Sequence, residues 1–539
     1  MAELKSGFLK RAYDKCLDSI KNTIDLEAHK KAYIGDHREY HGFAESEFAG
    51  KYLDTCINFY SATGDPSLLG KAEELVECII KNQHDDGYLG GYPKEDEWQK
   101  FSVWNQTFTV CGLMSYYKAT KRKRALAAAE KCSKNIAFHY MAEKDDIMDA
   151  FNDGTQNASF LLTLPELYDI TDDVVYAEFI RYIIKRLKNS GNNFFDFESI
   201  FDLRSKKGIE NFIILIGMLF YYCDSNDYEC LYGAKKYWEE LDSTQIRRPG
   251  NGTNAEKWIP EGNKPCFLPL DIHPNETCVS VGWAELSLLL YKATGETKYI
   301  DAAERTLFNH ILGSFDDESA DFAYYQPNFG KRVTRTTGSD PYKCCRYRGY
   351  NFISRLNELL FTEDDKALIP VVYASAIYDN GKVRIEETTG YPFDGKIFFS
   401  VVGDCGKKLK LRIPSWCEEY YIAVNGKKSP APLVDGYATI EISDGDEILL
   451  DLSIRLVKET VIIGEKTYAG FSFGPIVMVP DSNLNDDIYS AKDCSGKFVR
   501  NDKTEYNLEF DSDSLKLTDY ASSAKKHSDD EYTEWILVK

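Results

Sequence analysis

A Tyr-x-x-Thr signature recurs along the N-terminal half of the chain. Four segments carry it, and a fifth copy is weaker: "FYSATGDPSLLGKAEELVECII", "YYKATKRKRALAAAEKCSKNI", "LYDITDDVVYAEFIRYIIKRL", "LYKATGETKYIDAAERTLFNHIL" and "FYYCDSNDYECLYGAKKYWEEL". Each copy has the pattern of a helix end, a short turn and a second amphipathic helix. The aligned tyrosines are Tyr60, Tyr117, Tyr168, Tyr222 and Tyr291. Their spacing is that of a helical hairpin plus its connection, so the pattern predicts repeated helical hairpins.

Repeated helical hairpins can form an open solenoid or close into a ring, and the period alone does not choose between them. A sixth hairpin would combine "YNFISRLNELLFTEDD" with a helix that precedes the first copy. Six hairpins with long irregular inserts favour a closed double ring of helices, an (α/α)6 barrel, whose loops form a pocket. One such insert is "RRPGNGTNAEKWIPEGNKPCFLPLDIHPNET", and a loop of that length in a compact domain is usually functional.

The sequence changes character after about Leu368. Segments such as "GKVRIEETTGYPFDGKIFFSVVG" and "KKLKLRIPSW" alternate with period two, are rich in β-branched and aromatic residues, and are interrupted by Asn-Gly and Asp-Gly turns. Such segments are typical of antiparallel strands. We therefore predict a multidomain α+β protein, an (α/α)6 helical barrel followed by an antiparallel β-sandwich. The predicted boundaries are 1–365 for the barrel, 366–480 for the sandwich and 481–539 for a β-rich tail that packs on the sandwich or the barrel.

The charge balance argues against partners with anionic surfaces. The 539 residues carry a formal net charge of −21, which repels nucleic acid and anionic membranes, and the chain has no long basic run to compensate. No uncharged apolar run is long enough to span a bilayer. Because the N-terminus "MAELKSGFLKRAYDKCLDSI" lacks the apolar core of a secretory signal, we predict a cytoplasmic protein. Its 14 cysteines should then be mostly free thiols.

Two cysteine motifs stand apart from this background of free thiols. Glu276-x-Cys278 precedes one apolar helical stretch, and Cys344-Cys345 precedes another. Three thiolates and a carboxylate can complete a four-coordinate zinc site, because zinc has no strong preference for one geometry or ligand type. Two alternatives stay open at this point: ordinary buried thiols, or a closed zinc site with a purely structural role.

The order of these motifs resembles family 127 of the glycoside hydrolases, the β-L-arabinofuranosidase group. Glu-x-Cys before one helix and Cys-Cys at the last barrel helix are followed by a β-sandwich with "LRIPSWC" and "GPIVMV". The segments "NQHDDGYLGGY" and "GFAESEFAGKYLDTC" also resemble segments of that family. The resemblance extends to about residue 480.

The resemblance implies a retaining hydrolysis in which a zinc-bound cysteine thiolate attacks the anomeric carbon. Carried over motif by motif, Cys344 would be the nucleophile, and Glu276, Cys278 and Cys345 would complete the Zn²⁺ shell. A retaining glycosidase also needs a proton donor for the leaving oxygen. The family has a glutamate upstream of its Glu-x-Cys motif, which implies Glu261 as the acid/base residue, with Glu256 as the alternative.

The resemblance is weaker for sugar binding. Tyr324 lies in a Tyr-x-x-Pro segment similar to one near the family's nucleophile, and His273 lies beside a pocket-like segment. The family's sugar-binding histidines are missing from "WNQTFTVCGLMSYY" and "DGTQNASFLLTLPELY". We expect neutral donors and acceptors from the same stretches to replace them: Asn105, Gln106, Gln156 and Asn157.

We therefore predict an exo-glycosidase that acts on small oligosaccharides and releases β-L-arabinofuranose or a related pentose. Another sugar, such as aceric acid, is the first alternative. A sugar epimerase or isomerase on the same barrel would use paired histidines, and the chain has only eight histidines in total. A zinc-containing sugar-binding protein without catalysis is the third reading. The sequence leaves monomer and homodimer both open.

Overall fold

The computed structural model describes residues 2–34, 45–99, 101–151, 154–260, 274–332, 344–403, 406–485, 490–491, 497–500, 505–509, 514–525 and 529–538. The helices of these residues are, in chain order, α1 (Phe8–Asn22), α2 (Leu26–Lys31), α3 (Glu45–Thr63), α4 (Pro66–Lys81), α5 (Ser102–Thr120), α6 (Lys123–Met141), α7 (Thr155–Ala158), α8 (Leu164–Thr171), α9 (Val174–Lys188), α10 (Gly208–Ser225), α11 (Tyr228–Thr244), α12 (Thr277–Thr294), α13 (Thr297–Thr306), α14 (Leu312–Ser314) and α15 (Cys344–Ser354). None of these helices combines the length and the apolar character that a membrane span needs.

The helices form a closed double ring. In the inner ring α3 packs on α5, the α7–α8 segment lies between α5 and α10, α10 packs on α12, and α15 contacts both α12 and α3. The partner of each inner helix in its hairpin lies outside it, and α1 packs against α15. The sixth hairpin therefore joins α15 to a helix from the N-terminus. The predicted (α/α)6 barrel is confirmed.

The Tyr-x-x-Thr signature encodes the turn between the two helices of each hairpin. The residue four positions after each tyrosine is left-handed, and its backbone N–H donates to the carbonyl oxygen of that tyrosine. This bond satisfies a carbonyl that the helix end would otherwise leave free. The left-handed residues are Gly64, Lys121, Asp172, Asn226 and Gly295. In three copies an aspartate then caps the next helix: Asp65, Asp173 and Asp227.

Two glycines set the distance between the first two inner helices. A Cβ atom at Gly50 would lie 2.3 Å from the carbonyl oxygen of Phe108, and one at Gly112 would lie 2.7 Å from the carbonyl oxygen of Gly50. Real Cβ atoms do not approach backbone that closely, so α3 and α5 can pack at this distance only with glycine at both positions. The close contact places the first turns of α3 and α5 side by side.

The described residues also form strands. In chain order they are β1 (Ala2–Leu4), β2 (Phe315–Asp316), β3 (Asp321–Phe322), β4 (Phe329–Lys331), β5 (Phe361–Glu363), β6 (Ala367–Pro370), β7 (Ala376–Asp379), β8 (Val383–Thr389), β9 (Lys396–Gly403), β10 (Lys408–Arg412), β11 (Tyr420–Val424), β12 (Lys427–Lys428), β13 (Leu433–Val434), β14 (Tyr437–Ile440), β15 (Glu447–Leu452), β16 (Leu456–Ile463), β17 (Lys466–Phe473), β18 (Ile476–Val479), β19 (Ser490–Ala491), β20 (Lys497–Arg500), β21 (Glu505–Glu509), β22 (Ser514–Asp519), β23 (Glu531–Thr533) and β24 (Ile536–Val538).

Two sheets form the predicted sandwich. One has the order β1-β7-β8-β9-β15-β11-β12 and the other the order β13-β14-β10-β6-β5. Pairing is antiparallel except between β10 and β6. Buried and exposed residues alternate along β8 and β9, as expected for strands with one face in a core. The predicted β-sandwich is therefore confirmed, and the N-terminal β1 joins it.

A third sheet joins part of the predicted sandwich to the tail. Strands β16, β17 and β18 pair with β19 to β22 and β24 in one sheet. The strands of 456–479 thus group with the tail, so the sheets divide near residue 455, whereas the predicted division lies at 480. A separate pair, β23 with β4, attaches the tail to the segment between α14 and α15.

A buried ion network joins the barrel to the sandwich. Arg412 on β10 is fully buried and donates to Asp301 Oδ1 at 2.6 Å and to Glu304 on α13. The Tyr391 hydroxyl donates to the second oxygen of Glu304 at 2.8 Å. Each charge is therefore paired, which offsets the cost of removing it from water.

Arg412→Met should destabilise the protein because it leaves Glu304 buried without a counter-ion. We expect the free energy of unfolding, measured in urea, to fall by about 3–5 kcal/mol. Arg384→Met is the control, because Arg384 is 45% exposed and should contribute about 0.5 kcal/mol or less. Equal losses in both variants would contradict the role of the network.

His29 closes the contact between α2, α3 and α15. Its ring stacks on Tyr52 at 4.7 Å and meets the edge of Tyr347 at 5.1 Å, and its Nε2 lies 2.9 Å from the Tyr347 hydroxyl. Burial lowers the pKa of His29 to about 3; nearby Asp25 raises it and Arg346 lowers it further. The imidazole is therefore neutral in the folded protein.

His29 should make stability depend on pH. Its folded pKa lies below the unfolded value, so the unfolded chain binds the proton more tightly. The contribution of neutral His29 to the free energy of unfolding is fully present above pH 6.5. It is lost as the pH falls toward 3, by about 1.4 kcal/mol per pH unit. We expect His29→Gln to have a shallower decline of unfolding free energy over this range. The control is His84→Gln, which should keep the wild-type decline of unfolding free energy with pH. If His29→Gln also keeps that decline, the prediction is refuted.

Candidate active site

A group of four side chains lies where two neighbouring inner helices begin. Glu276 is the N-cap residue of α12 and Cys278 lies in its first turn, while Cys344 and Cys345 open α15. A helix N-terminus carries a partial positive charge, which favours thiolates. Because α12 and α15 pack side by side, two sequence motifs that are far apart in the chain meet at one end of the barrel.

The ligand atoms of this group are close together. The Sγ atoms of Cys278 and Cys344 are 3.3 Å apart, and those of Cys344 and Cys345 are 3.9 Å apart. Glu276 Oε1 lies 3.9 Å from the Cys344 sulfur and 3.8 Å from the Cys345 sulfur. One ligand atom from each of the four residues lies within 4.8 Å of all the others. Only Cys344 is partly exposed, and the other three side chains are buried.

This donor set fits a divalent metal ion. Sulfur atoms that bind one zinc ion tetrahedrally lie about 3.8 Å apart, and the distances above are close to that value. Burial raises the pKa of Glu276 to about 8, with Lys207 acting in the opposite direction, and its Oε2 atom is buried without a hydrogen-bond partner. A buried carboxyl group with an unpaired oxygen beside three thiols is suited to a cation. The four predicted ligands are therefore brought together as a possible metal site.

The loop before α12 is held from several directions. Asn275 is left-handed, with φ of 56°. Its side-chain oxygen accepts from Arg247 at 2.7 Å, and its amide donates to the carbonyl oxygen of Gln326 at 2.7 Å. The backbone N–H of Glu276 donates to the Thr253 hydroxyl at 3.3 Å. These contacts fix the direction of the Glu276 side chain.

Tyr324 links the thiols to a second carboxylate. Its hydroxyl lies 3.2 Å from the Cys344 sulfur and 3.1 Å from Glu256 Oε1. The Tyr325 hydroxyl donates to the same Glu256 oxygen at 2.5 Å, and the Lys207 ammonium donates to Glu256 Oε2. The Glu256 side chain is 20% exposed. A carboxylate with a defined position therefore lies one side chain away from the partly exposed Cys344 thiol.

A tight hairpin turn presents Glu256. Asn254 and Lys257 exchange backbone hydrogen bonds of 3.0 Å, and the two residues between them are left-handed, Ala255 with φ of 46° and Glu256 with φ of 65°. This is the conformation of a type I′ turn, which usually has glycine or asparagine at these positions. Left-handed backbone costs a non-glycine residue roughly 1–2 kcal/mol. Such strain is typical of functional sites, where the surrounding structure enforces it.

The residues predicted to replace the family's histidines have different environments. Gln106 accepts from the Leu89 N–H at 3.3 Å and from Cys132 at 3.2 Å. The Asn157 amide donates to the Tyr140 hydroxyl at 3.0 Å. Asn105 hydrogen-bonds Tyr92. Gln156 is fully buried, and neither atom of its amide has a partner among the described residues. Of the four amides, that of Gln156 is the one for which both polar atoms lack a partner among the described residues.

Two predicted site residues, Glu261 and His273, lie outside the described residues. Their roles as acid/base and sugar ligand stay predictions. Sequence reasoning named Glu256 only as an alternative, and it missed Lys207 and Tyr325. These two reach Glu256 from separate segments, so no local motif signals them. The one available signal for Tyr325 was its position next to the predicted Tyr324, and the sequence has no such signal for Lys207.

A second cluster among the described residues has the composition of a metal site. One ligand atom each of His84, Asp86 and Glu97 lies within 4.8 Å of the other two. The Lys94 ammonium donates to both carboxylates, and it occupies the position that a cation would take. This group therefore forms a local ion-pair network.

Two family models match the chain. The model for the GH127 catalytic domain, described as β-L-arabinofuranosidase, matches residues 2–358, and the GH127 middle-domain model matches residues 372–454. A GH127 β-L-arabinofuranosidase from Geobacillus stearothermophilus T6 is 18% identical, with a TM-score of 0.79 and coverage of 100% of both chains. Another GH127 β-arabinofuranosidase structure is 18% identical, with a TM-score of 0.80 and coverage of 100% of this chain and 96% of its own. At such low identity the two structures support the fold alone.

No curated protein matches the chain. The family models, by contrast, cover most of its length, and the order of domains that they give, a catalytic domain and then a middle domain, is the order of barrel and sandwich observed here. The chain therefore belongs to glycoside hydrolase family 127.

Proposed function

We propose that this glycoside hydrolase is a retaining exo-enzyme that releases a terminal β-L-arabinofuranose, or a closely related pentose, from small oligosaccharides. The observation that carries the proposal is the position of Cys344. Its sulfur belongs to the thiol cluster and, through Tyr324, lies near the Glu256 carboxylate. A nucleophile and a proton-transfer group are thus adjacent at the partly exposed end of the barrel. The family match supports the sugar, since its description names β-L-arabinofuranosidase.

Zn²⁺ is the cofactor that we propose for the cluster. Glu276, Cys278, Cys344 and Cys345 would hold it, and when bound it would keep the Cys344 thiol deprotonated at neutral pH. The chain itself acts in the same direction. Contacts from Cys278 and Cys345, followed by Lys51 and Tyr324, lower the pKa of Cys344 well below its usual range even though burial raises it.

The proposed first step is attack of the Cys344 thiolate on the anomeric carbon. A C–S bond forms while the bond from that carbon to the leaving oxygen breaks, and Glu256, which must enter this step in its protonated form, gives its proton to that oxygen and is left as the carboxylate. In the second step the Glu256 carboxylate takes a proton from water, and the water oxygen bonds to the anomeric carbon. The C–S bond breaks and the thiolate is restored. Two inversions retain the configuration of the sugar.

Three neighbours position Glu256 for both steps. Lys207 holds one oxygen of the carboxylate, and Tyr324 and Tyr325 hold the other. Fixing a proton-transfer group in this way reduces the entropy lost in reaching the transition state. Tyr324 also lies beside the nucleophile, so its hydroxyl can keep the thiolate and the carboxylate at a constant separation.

The metal prediction is tested by elemental analysis of protein purified without chelator. We expect about one zinc ion per chain, and loss of most of it in Cys278→Ser, because a structural zinc site needs its full set of ligands. Cys417→Ser is the control, since Cys417 is a free thiol outside the cluster. Wild-type protein without metal, or equal metal content in both variants, would contradict the zinc site.

The catalytic prediction is tested with aryl β-L-arabinofuranosides whose leaving groups differ in acidity. Cys344→Ala should lose essentially all activity. Glu256→Gln should lose about 10²–10⁴-fold in kcat/KM with a poor leaving group and much less with an acidic phenol, which leaves without protonation. Glu261→Gln is the matched comparison. If Glu261→Gln loses more kcat/KM with the poor leaving group than with the acidic phenol, and Glu256→Gln does not, the acid/base role belongs to Glu261.

The sugar itself is tested with a panel of aryl glycosides. We expect the highest kcat/KM for the β-L-arabinofuranoside, and full loss in Cys344→Ala for every substrate that is cleaved. Turnover of another pentoside, including an acidic one, with no turnover of the arabinofuranoside would retain the mechanism and replace the sugar. Turnover that survives in Cys344→Ala would refute the mechanism.

A further inference from the structure

The first turns of α3 hold a buried ion pair, Glu47 and Lys51, to which the mechanism above gives no contact with the substrate; Lys51 enters it only through its effect on the pKa of Cys344. Glu47 and Lys51 are 3% and 4% exposed, and the Lys51 ammonium donates to Glu47 Oε1. They lie four positions apart on one helix, the spacing at which side chains of opposite charge meet. The sequence "ESEFAGK" therefore encodes the pair locally.

The pair lies at the end of the barrel that holds the thiols. Phe48, next to Glu47, stacks at 6.0 Å on Tyr347, one helical turn after Cys344. The Lys51 ammonium lies 4.2 Å from the centre of the Phe108 ring on α5. Glu47 also has a hydrogen bond with Trp104, which is near the start of α5. The close approach of α3 and α5 at Gly50 brings these aromatic rings onto the pair.

The charges of the pair and of the thiols affect each other. Burial opposes the charge on Lys51, but Glu47, Cys278 and Cys344 outweigh it, so the pKa of Lys51 is raised above its ordinary value. The ammonium is therefore charged at neutral pH. This effect agrees with the position of Lys51 at the end of the barrel that holds the thiols.

Lys51 retains donor capacity inside the protein. An ammonium group has three N–H donors, and among the described residues its one hydrogen-bond acceptor is Glu47. Leaving donors of a nearly fully buried cation unpaired is costly. Apolar side chains of similar size would stabilise a barrel at least as well as this ion pair. A ligand that supplies acceptors to Lys51 and donors to Glu47 would explain why the pair is there.

Sugar hydroxyl groups have this chemistry, because each one can both donate and accept a hydrogen bond. We infer that the Glu47–Lys51 pair recognises hydroxyl groups of the sugar whose anomeric carbon is attacked by Cys344. Glu47 accepts from one hydroxyl and Lys51 donates to the same or the neighbouring hydroxyl. The inference rests on the proposed function, because it assumes that the sugar occupies the space beside Cys344. The pair determines specificity and takes no part in proton transfer to the leaving group.

A site built to bind a hydroxyl group rejects a substrate that lacks it. The test therefore compares 4-nitrophenyl β-L-arabinofuranoside with its 2-, 3- and 5-deoxy analogues. We expect the wild type to lose about 100-fold or more in kcat/KM on at least one analogue. Glu47→Gln and Lys51→Met should lose a similar factor on the full sugar and little more on that analogue, so the preference for the hydroxyl disappears.

Two variants control for a structural role. Lys118→Met removes a more exposed lysine from α5, where Lys118 pairs with Glu166, and it should leave the preference unchanged. Lys51→Arg keeps the charge and should retain part of the preference. Metal content and thermal midpoint are measured for each variant to show that it is folded. If Glu47→Gln and Lys51→Met lower kcat/KM by one common factor on all four substrates, the pair acts on the fold or the nucleophile, and the inference is overturned.

Failure of the proposed function gives a different result. If the wild type cleaves none of these glycosides, the binding of free L-arabinose is measured by calorimetry on the wild type, Glu47→Gln and Lys118→Met. Binding that is lost in Glu47→Gln alone supports the pair as a sugar-binding site even without turnover. Equal binding in all three proteins, or binding in none of them, overturns the inference.

Discussion

The packing of α15 between α12 and α3 is the contact on which the site depends. It closes the inner ring, and it brings the Cys344-Cys345 pair next to Glu276 and Cys278. The same closure places the first turn of α15 beside the first two turns of α3, where Glu47 and Lys51 lie. An open solenoid of the same hairpins would leave its first and last inner helices far apart. The proposed chemistry therefore needs a closed ring of hairpins, whereas an open stack of the same hairpins could also bury their apolar faces.

The parts of the structure that could be predicted are those with a local chemical cause. The repeated tyrosines predict hairpins because a left-handed residue must close each helix, and residues such as Gly64 and Asp172 do so. Period-two alternation predicts the sandwich because its strands bury one face. Two short motifs, Glu276-x-Cys278 and Cys344-Cys345, indicate the four proposed metal ligands, and the family resemblance supports the set. In each case few residues, close in sequence, carry the information.

The parts that could not be predicted depend on contacts between distant segments. The surroundings of Glu256, which the sequence offered only as an alternative, depend on Lys207, Tyr324 and Tyr325, and these come from two other parts of the chain. Gln106 and Asn157 are predicted to contact sugar, and the protein partners that their amides also have could not be read from any sequence pattern. The grouping of β16 to β18 with the tail likewise follows from pairing across long separations.

The strand pair β4–β23 has a consequence for the order of synthesis. Tyr532 on β23 donates to the carbonyl oxygen of Pro327, 205 positions earlier in the chain, and the Glu534 N–H donates to the carbonyl oxygen of Asn328 at 3.2 Å. These contacts fasten the segment that carries Tyr324 and Tyr325. On the ribosome the barrel helices emerge well before β23 does, so the four residues of the thiol cluster can come together while the segment that carries Tyr324 and Tyr325 still lacks its support. In a chain that is still being translated, the tyrosine side of the site would thus be held less firmly until β23 is made.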